Sequence, residues 1–378
     1  FKMNEKEIAE IRRRFNPQKT NITRVCGCYV TGSGEIMSEF SQPIATLTQD
    51  ETEYLLSLLK KTLSGTVDKN LIDIPFSNAQ VLEGEEHKTL LKLRDTALED
   101  EESLKKIYGG IISSVKMETN YLIMLAYDSY DVFTYSEDGK KSEDSSEQFR
   151  YFICSVCPVK STKPLLSFAA FDNAFHGIAS STAVSAPEFG FMFPAFDDRR
   201  GNIYDTLFYT KNPAADYSQI ADRLFKAEMP MPAADQQNSF CGMLGSAVGD
   251  ECSIEVIKEV HGYISDTVTE HKESRSKEPL TVSRDEISDV LRSSGVDEER
   301  INDFKKSYDD TFGEKTLLNP KNLLDVKQFE VNMPDVSIRI NPERSGLVDT
   351  RVIDGVKYIV IRADESVEVN GVQININN

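Results

Sequence analysis

From Phe189 to Phe193 (FGFMF) phenylalanine takes every second place, and Pro194 closes the run. A period of two predicts a strand, and a proline can stand only at its edge or end. Ile203 to Thr210, rich in aromatic and β-branched residues, predicts a second strand. The polar stretch from Asp197 to Asn202 predicts the turn between them, closing at Gly201 and carrying Asp197, Asp198, Arg199 and Arg200 at its tip. Further strands are predicted over residues 24–30 and 35–40 around Thr31-Gly32-Ser33-Gly34, over 71–76 and over 149–159. Tyr121 to Tyr127 (YLIMLAY) is nearly continuous apolar sequence and predicts a central strand buried on both faces. Residues 137–147, polar and acid-rich, predict a solvated loop.

Helical periodicity appears over residues 4–15, with Ile8 and Ile11 on one face and Arg12, Arg13 and Arg14 as a solvated, dipole-complementing end before Asn16-Pro17. It returns over 50–63, where Tyr54, Leu55, Leu58, Leu59 and Leu63 make the apolar face, and over 85–98 and 101–115. From Tyr217 onward helices are predicted over 217–227, 234–248 and 253–269, with a charged linker over about 271–280 closed by Pro279. Ser283 and Glu286 form a capping-box pattern ahead of a helix ended by Gly295, and Asp297 is the expected cap of the next. The C-terminal part predicts a β-meander. Val336, Ile338 and Ile340 alternate, Asp354-Gly355 separates two strands, and Asn370-Gly371 separates two more, the last running to Ile376.

These elements predict an α+β protein with a mostly antiparallel N-terminal sheet domain over 3–213, helices covering one face of that sheet, a helical region over 214–325 and a small C-terminal β-meander over 326–378. The chain has 378 residues, enough for two or three cores. Its formal charge of −19 opposes binding to phosphate backbones and anionic membrane surfaces, so neither nucleic acid nor membrane is an expected partner. The acidic second helix after Gly295 would repel DNA for the same reason. No apolar run approaches a membrane span, and the N-terminal residues lack a signal-peptide core, which predicts a cytoplasmic protein.

Candidate chemistry is sparse. Cys26-x-Cys28 and Cys154-x-x-Cys157 together have the ligand types for a structural zinc. Strand alternation argues against it, since it puts Cys26 and Cys28 on one core face and Cys154 and Cys157 on opposite faces, so neither metal nor cofactor is expected. Asp172 and His176, with Asp197, Asp198 and Arg199, are the candidates for acid–base or divalent-cation chemistry. His87, His261 and His271 fall on helices or in the linker, where solvated roles suffice. No phosphate-binding glycine loop, nucleophile elbow or zincin motif is present in the sequence.

Long stretches carry a family resemblance: NEKEIAEIRRRFNP, TLSGTVDKNLIDIPFS, CSVCPVKSTKPLLSF, SAPEFGFMFPAFDDRRGNIYDTLFYTKN and DVKQFEVNMPDVSIRINPERSGLVDTRVIDGVKYIVIRADESVEVNGV. From Met3 to about Ile374 the chain resembles the domain-of-unknown-function family 4317, which implies a bacterial cytoplasmic protein and no particular activity. The expected function is a non-enzymatic binding or assembly module, homo-oligomeric through sheet and aromatic surfaces, because strand-rich sequence at the C-terminus leaves an edge to be covered. The alternative is a hydrolase, possibly metal-dependent, near Asp172, His176, Asp197 and Asp198. An enzyme must gather those groups in a pocket, whereas an assembly module must expose an apolar patch or an unpaired strand edge.

Overall fold

A computed structural model describes residues 3–135, 141–274, 279–363, 367–369 and 371–374. The chain divides into two compact units, one ending at Pro232 and one beginning at Ala233. In the first, α1 (Glu5–Arg12) starts from a reciprocal cap: the Asn4 side chain accepts the Glu7 N–H, and the Glu7 carboxylate accepts the Asn4 N–H at 2.9 Å. β1 (Arg24–Val30) and β2 (Ile36–Pro43) form a hairpin. α2 (Gln49–Lys61), capped by Thr48 and Glu51, leads to β3 (Leu71–Pro75), the short α3 (Asn78–Glu83), α4 (Glu85–Asp95) and α5 (Glu101–Ser114). β4 (Tyr121–Tyr135) and β5 (Lys141–Ser161) make a long antiparallel pair. β6 (Leu165–Ala169) and β7 (Ala174–Ile178) form a hairpin of their own, and β8 (Thr182–Val184) returns to pair with the end of β5. β9 (Phe189–Phe193), β10 (Ala195–Asp197), β11 (Arg200–Asn202) and β12 (Asp205–Thr210) follow, then α6 (Ser218–Ile220), which widens into a π turn over Ala221–Phe225.

The main sheet runs β2-β1-β4-β5-β9-β12-β3, antiparallel at every junction. Alternate residues of its strands face two separate cores. Cys26, Cys28, Ile123, Leu125, Phe191 and Phe193 point to one side, under α4, α5 and the segment Tyr217–Phe225. Val25, Met124, Ala126, Ile153, Met192 and Leu207 point to the other, under α1 and α2. Helices therefore cover both faces, not one as expected. The apolar run at Tyr121–Tyr127 requires this, because a strand without a polar side needs two cores. Residues 217–225 fill the first of these cores, so the expected break at residue 213 falls inside a compact unit.

Two local expectations change. In α2 Tyr54 is exposed and Leu56 takes its place in the core, because the helix turns its Leu56–Leu59 side to the sheet. The expected solvated loop over 137–147 is strand from Lys141 onward, since backbone pairing propagates outward from the apolar part of β4 and β5 as far as Tyr135 opposite Lys141. Residues 137–140 of that loop lie outside the described residues.

In the second unit α7 (Ala233–Val248), α8 (Ile254–Ser274), α9 (Arg284–Ser293) and α10 (Glu298–Phe312) surround a core that includes Phe240, Val260, Ile287, Ile301 and Phe304. Residues 271–274 of the expected linker continue α8, and 275–278 lie outside the described residues. Ser283 and Glu286 cap α9 as expected, whereas the Asp297 side chain makes no capping bond to α10. The C-terminal strands form three hairpins: β13 (Phe329–Met333) with β14 (Val336–Ile340), β15 (Val348–Ile353) with β16 (Val356–Ile361), and β17 (Val367–Val369) with β18 (Val372–Ile374). Asp354 and Gly355 both adopt positive φ, 51° and 79°, the left-handed pair that a two-residue hairpin turn requires. The last strand ends at Ile374, and Ile376 lies outside the described residues.

Candidate functional site

Asp197, Asp198 and Arg199 stand at the tip of the β10–β11 ladder, where Asp198 and Arg199 turn the chain with φ of 44° and 57°. Asp197 accepts from Asn202 Nδ2 at 2.8 Å, and the same amide donates to Asp205 at 2.7 Å. The Arg199 guanidinium donates to Glu10 Oε1 at 3.1 Å, and the backbone N–H groups of Asp198 and Arg199 donate to Glu7. Burial pushes the Glu7 carboxyl above its usual value, against the pull of those N–H groups and that of Asn4. The tip is thus a lock between a turn and α1.

The lock continues inward. Glu10 Oε1 also accepts the Tyr130 hydroxyl at 2.9 Å, and the Arg14 guanidinium lies 5.1 Å from the centre of the Tyr130 ring. Arg14 donates to both oxygens of Asp128, at 3.0 and 3.2 Å. Asp128, 1% exposed, also accepts the Asn21 N–H at 2.9 Å and the Tyr151 hydroxyl at 3.0 Å. A carboxylate with four donors is fully occupied, so this centre holds structure and offers no free base. Sequence pattern does not reveal this centre: it places Arg14 at a solvated helix end, and the one signal is an aspartate set directly after the doubly buried run Tyr121–Tyr127.

Asp172 and His176 do meet, with His176 Nε2 2.7 Å from Asp172 Oδ2. They sit on the β6–β7 hairpin, apart from the β10–β11 tip, with side chains 34% and 51% exposed. Asp172 also accepts the Ala174 N–H, which shapes the hairpin turn, and the His176 ring stacks on Phe171. Water competes freely at such a pair. Among the described residues, no cluster of three or more His, Cys, Asp or Glu side chains is placed to hold a metal ion.

The four central cysteines are divided by the sheet: Cys26, Cys28 and Cys154 lie in one core and Cys157 in the other. Burial pushes the Cys28 and Cys157 thiols up to about 12 and raises Cys26 and Cys154 as well, which opposes the thiolate that a metal needs. Cys26 Sγ approaches Leu125 O at 3.8 Å as a weak donor. The shared placement of Cys26 and Cys28 follows the alternation of β1.

Two histidines expected in solvated places are buried. His261 Nε2 donates to the peptide oxygen of Asp325 at 2.8 Å. His87 Nε2 donates to Ile203 O at 2.7 Å, and its ring packs edge-on against Phe76 and Phe193. Burial lowers the His87 pKa below 6.5, outweighing that hydrogen bond, and Arg94 adds to the fall. A depressed histidine pKa gives stability that is complete above 6.5 and is lost as pH falls through the folded value. Melting temperature followed from pH 7 down to about 5 should therefore fall more steeply in the wild type than in His87→Gln. Parallel curves would remove His87 as the cause.

Exposed apolar residues gather on two hairpins. The β6–β7 hairpin presents Leu165, Leu166, Phe168, Phe171, Phe175 and Ile178 to solvent, Phe171 at 89%. β15 and β16 present Val352 on one face and Ile353, Val356 and Tyr358 on the other. Among the described residues, no helix is long and apolar enough to cross a membrane. The family described as Domain of unknown function (DUF4317) matches residues 3–372. No curated protein matches the chain.

Proposed function

The chain belongs to the family described as Domain of unknown function (DUF4317), and on that premise we propose that it is a non-enzymatic cytoplasmic assembly module that associates with copies of itself through exposed β-hairpins. The observation that carries this reading is the C-terminal series. Each of its three hairpins is two-stranded in the described residues, and most apolar side chains of β15 and β16 face solvent. A two-stranded ribbon is marginal alone in water, and its open edges and apolar faces are stabilised by a further strand or sheet. A second copy supplies both.

The hydrolase alternative draws on one observation, the Asp172–His176 hydrogen bond. Asp197 and Asp198 stand on another hairpin, where Asn202 and α1 already engage them or their backbone. Light scattering and native mass spectrometry of the full chain at micromolar concentration test the proposal. An integer multiple of the single-chain mass is expected, and Ile353→Lys combined with Val356→Lys should reduce it. A single-chain mass across the whole concentration range would overturn it.

A further inference from the structure

Resting on that reading of self-association, we infer that the β6–β7 hairpin is a dimerisation arm, whose partner is the same arm of a second copy. Register puts Leu166, Phe168 and Phe175 on one face, with Phe168 and Phe175 directly opposite and their rings 5.2 Å apart. Leu165 and Ile178 pair on the other face, and Phe171 caps the turn. At roughly 150–200 Å² each, the three side chains of the first face together with Phe171 offer on the order of 600 Å² per copy, the lower end of what one partner contributes to a specific interface. A two-fold contact is self-complementary, so an apolar face can meet its own copy without a second kind of surface.

Charge selects the same segment. At a net −19, two copies repel unless they meet where charge is scarce. Between Lys163 and Glu188 the only ionisable residues are Asp172 and His176, in a chain that is 28% charged, and those two bind each other. That also disfavours a basic partner, which would find nothing to pair with along the arm. The arm is held at its root. Thr162 N donates to Ser181 O at 2.7 Å and Ser181 N donates to Thr162 Oγ1 at 2.9 Å, which fixes the base where β5 and β8 pair. A rigid base lowers the entropy lost when the arm is captured.

Sedimentation velocity of the full chain tests this with Phe168→Asp/Phe175→Asp, both exposed positions, and with Leu166→Lys as a second variant should the first melt early. The wild type should assemble, and either variant should halve the subunit number or weaken the dimer at least 100-fold while keeping the wild-type melting temperature. An assembled wild type with unchanged variants would overturn the arm and leave self-association standing. A wild type that is monomeric throughout would overturn both. Flotation of a monomeric wild type with phosphatidylcholine vesicles, abolished by the arm variants, would overturn the arm's self-pairing in favour of a lipid surface.

Discussion

Asp128→Ala should destabilise the first unit by about 3–5 kcal/mol, the cost typical of removing one partner from a buried ion pair. The substitution strands the Arg14 guanidinium, 17% exposed, beside the Tyr130 ring, and leaves the Tyr151 hydroxyl without its acceptor at the bottom of the core. It also releases the Asn21 N–H and so loosens the chain between α1 and β1. Arg14→Ala should cost a similar amount by leaving Asp128 buried and underpaired, and the double variant should cost less than the sum because the two share the same pair. Tyr151→Phe should cost only about 1 kcal/mol, one hydrogen bond. At the other end of the same chain of contacts, Arg199→Ala should stay within about 1 kcal/mol, since its bond to Glu10 is 40% exposed on the arginine side and is screened. Urea midpoints for this series read the gradient directly. Equal midpoints for Asp128→Ala and Arg199→Ala would show that the inner centre carries no more than the surface tip.

Gly27→Ala should cost more than about 3 kcal/mol, at or beyond the upper end for overpacking. A Cβ on Gly27 would lie 1.9 Å from the Ile123 carbonyl oxygen, and that atom belongs to the backbone of the neighbouring β4, so no rotamer change relieves it. The strands would have to part at the centre of the sheet. Gly190 repeats the pattern against the Cys154 carbonyl oxygen at 2.3 Å, where β9 meets β5. By contrast Cys26→Ala and Cys28→Ala remove one heavy atom each from a packed core and should cost about 1–2 kcal/mol. Attention in the sequence goes to the two thiols of Cys-Gly-Cys, yet the residue between them should be the sensitive one. A Gly27→Ala midpoint at or above those of the cysteine variants would contradict this.

Much of the architecture can be read along the chain because it depends on neighbours in sequence. The period-two phenylalanines of β9, the helix caps at Asn4, Thr48 and Ser283, and the Asp354-Gly355 turn are each fixed by a few adjacent residues. The alternation that set Cys154 and Cys157 on opposite faces is equally local. The Asp172–His176 pair was legible for the same reason, since both residues belong to one hairpin.

What the sequence could not decide is which distant elements meet. Arg14 and Asp128 are 114 positions apart, and helix periodicity alone places Arg14 at a polar end with water as its default partner. The turn at Asp198 and Arg199 finds Glu7 and Glu10 only because β10 lies against α1 in the folded unit. Helices on both faces, His87 sealed among aromatic rings and the closeness of β1 to β4 at Gly27 likewise depend on layers that pack across long sequence separations. By itself, then, the sequence determined most elements, the turn at Asp354-Gly355 and the alternating faces of the strands, because backbone sterics and side-chain periodicity act within a few residues. Only the tertiary structure decided which charges are buried together and which apolar faces are left in water, because burial is a property of the packed layers and not of any one segment.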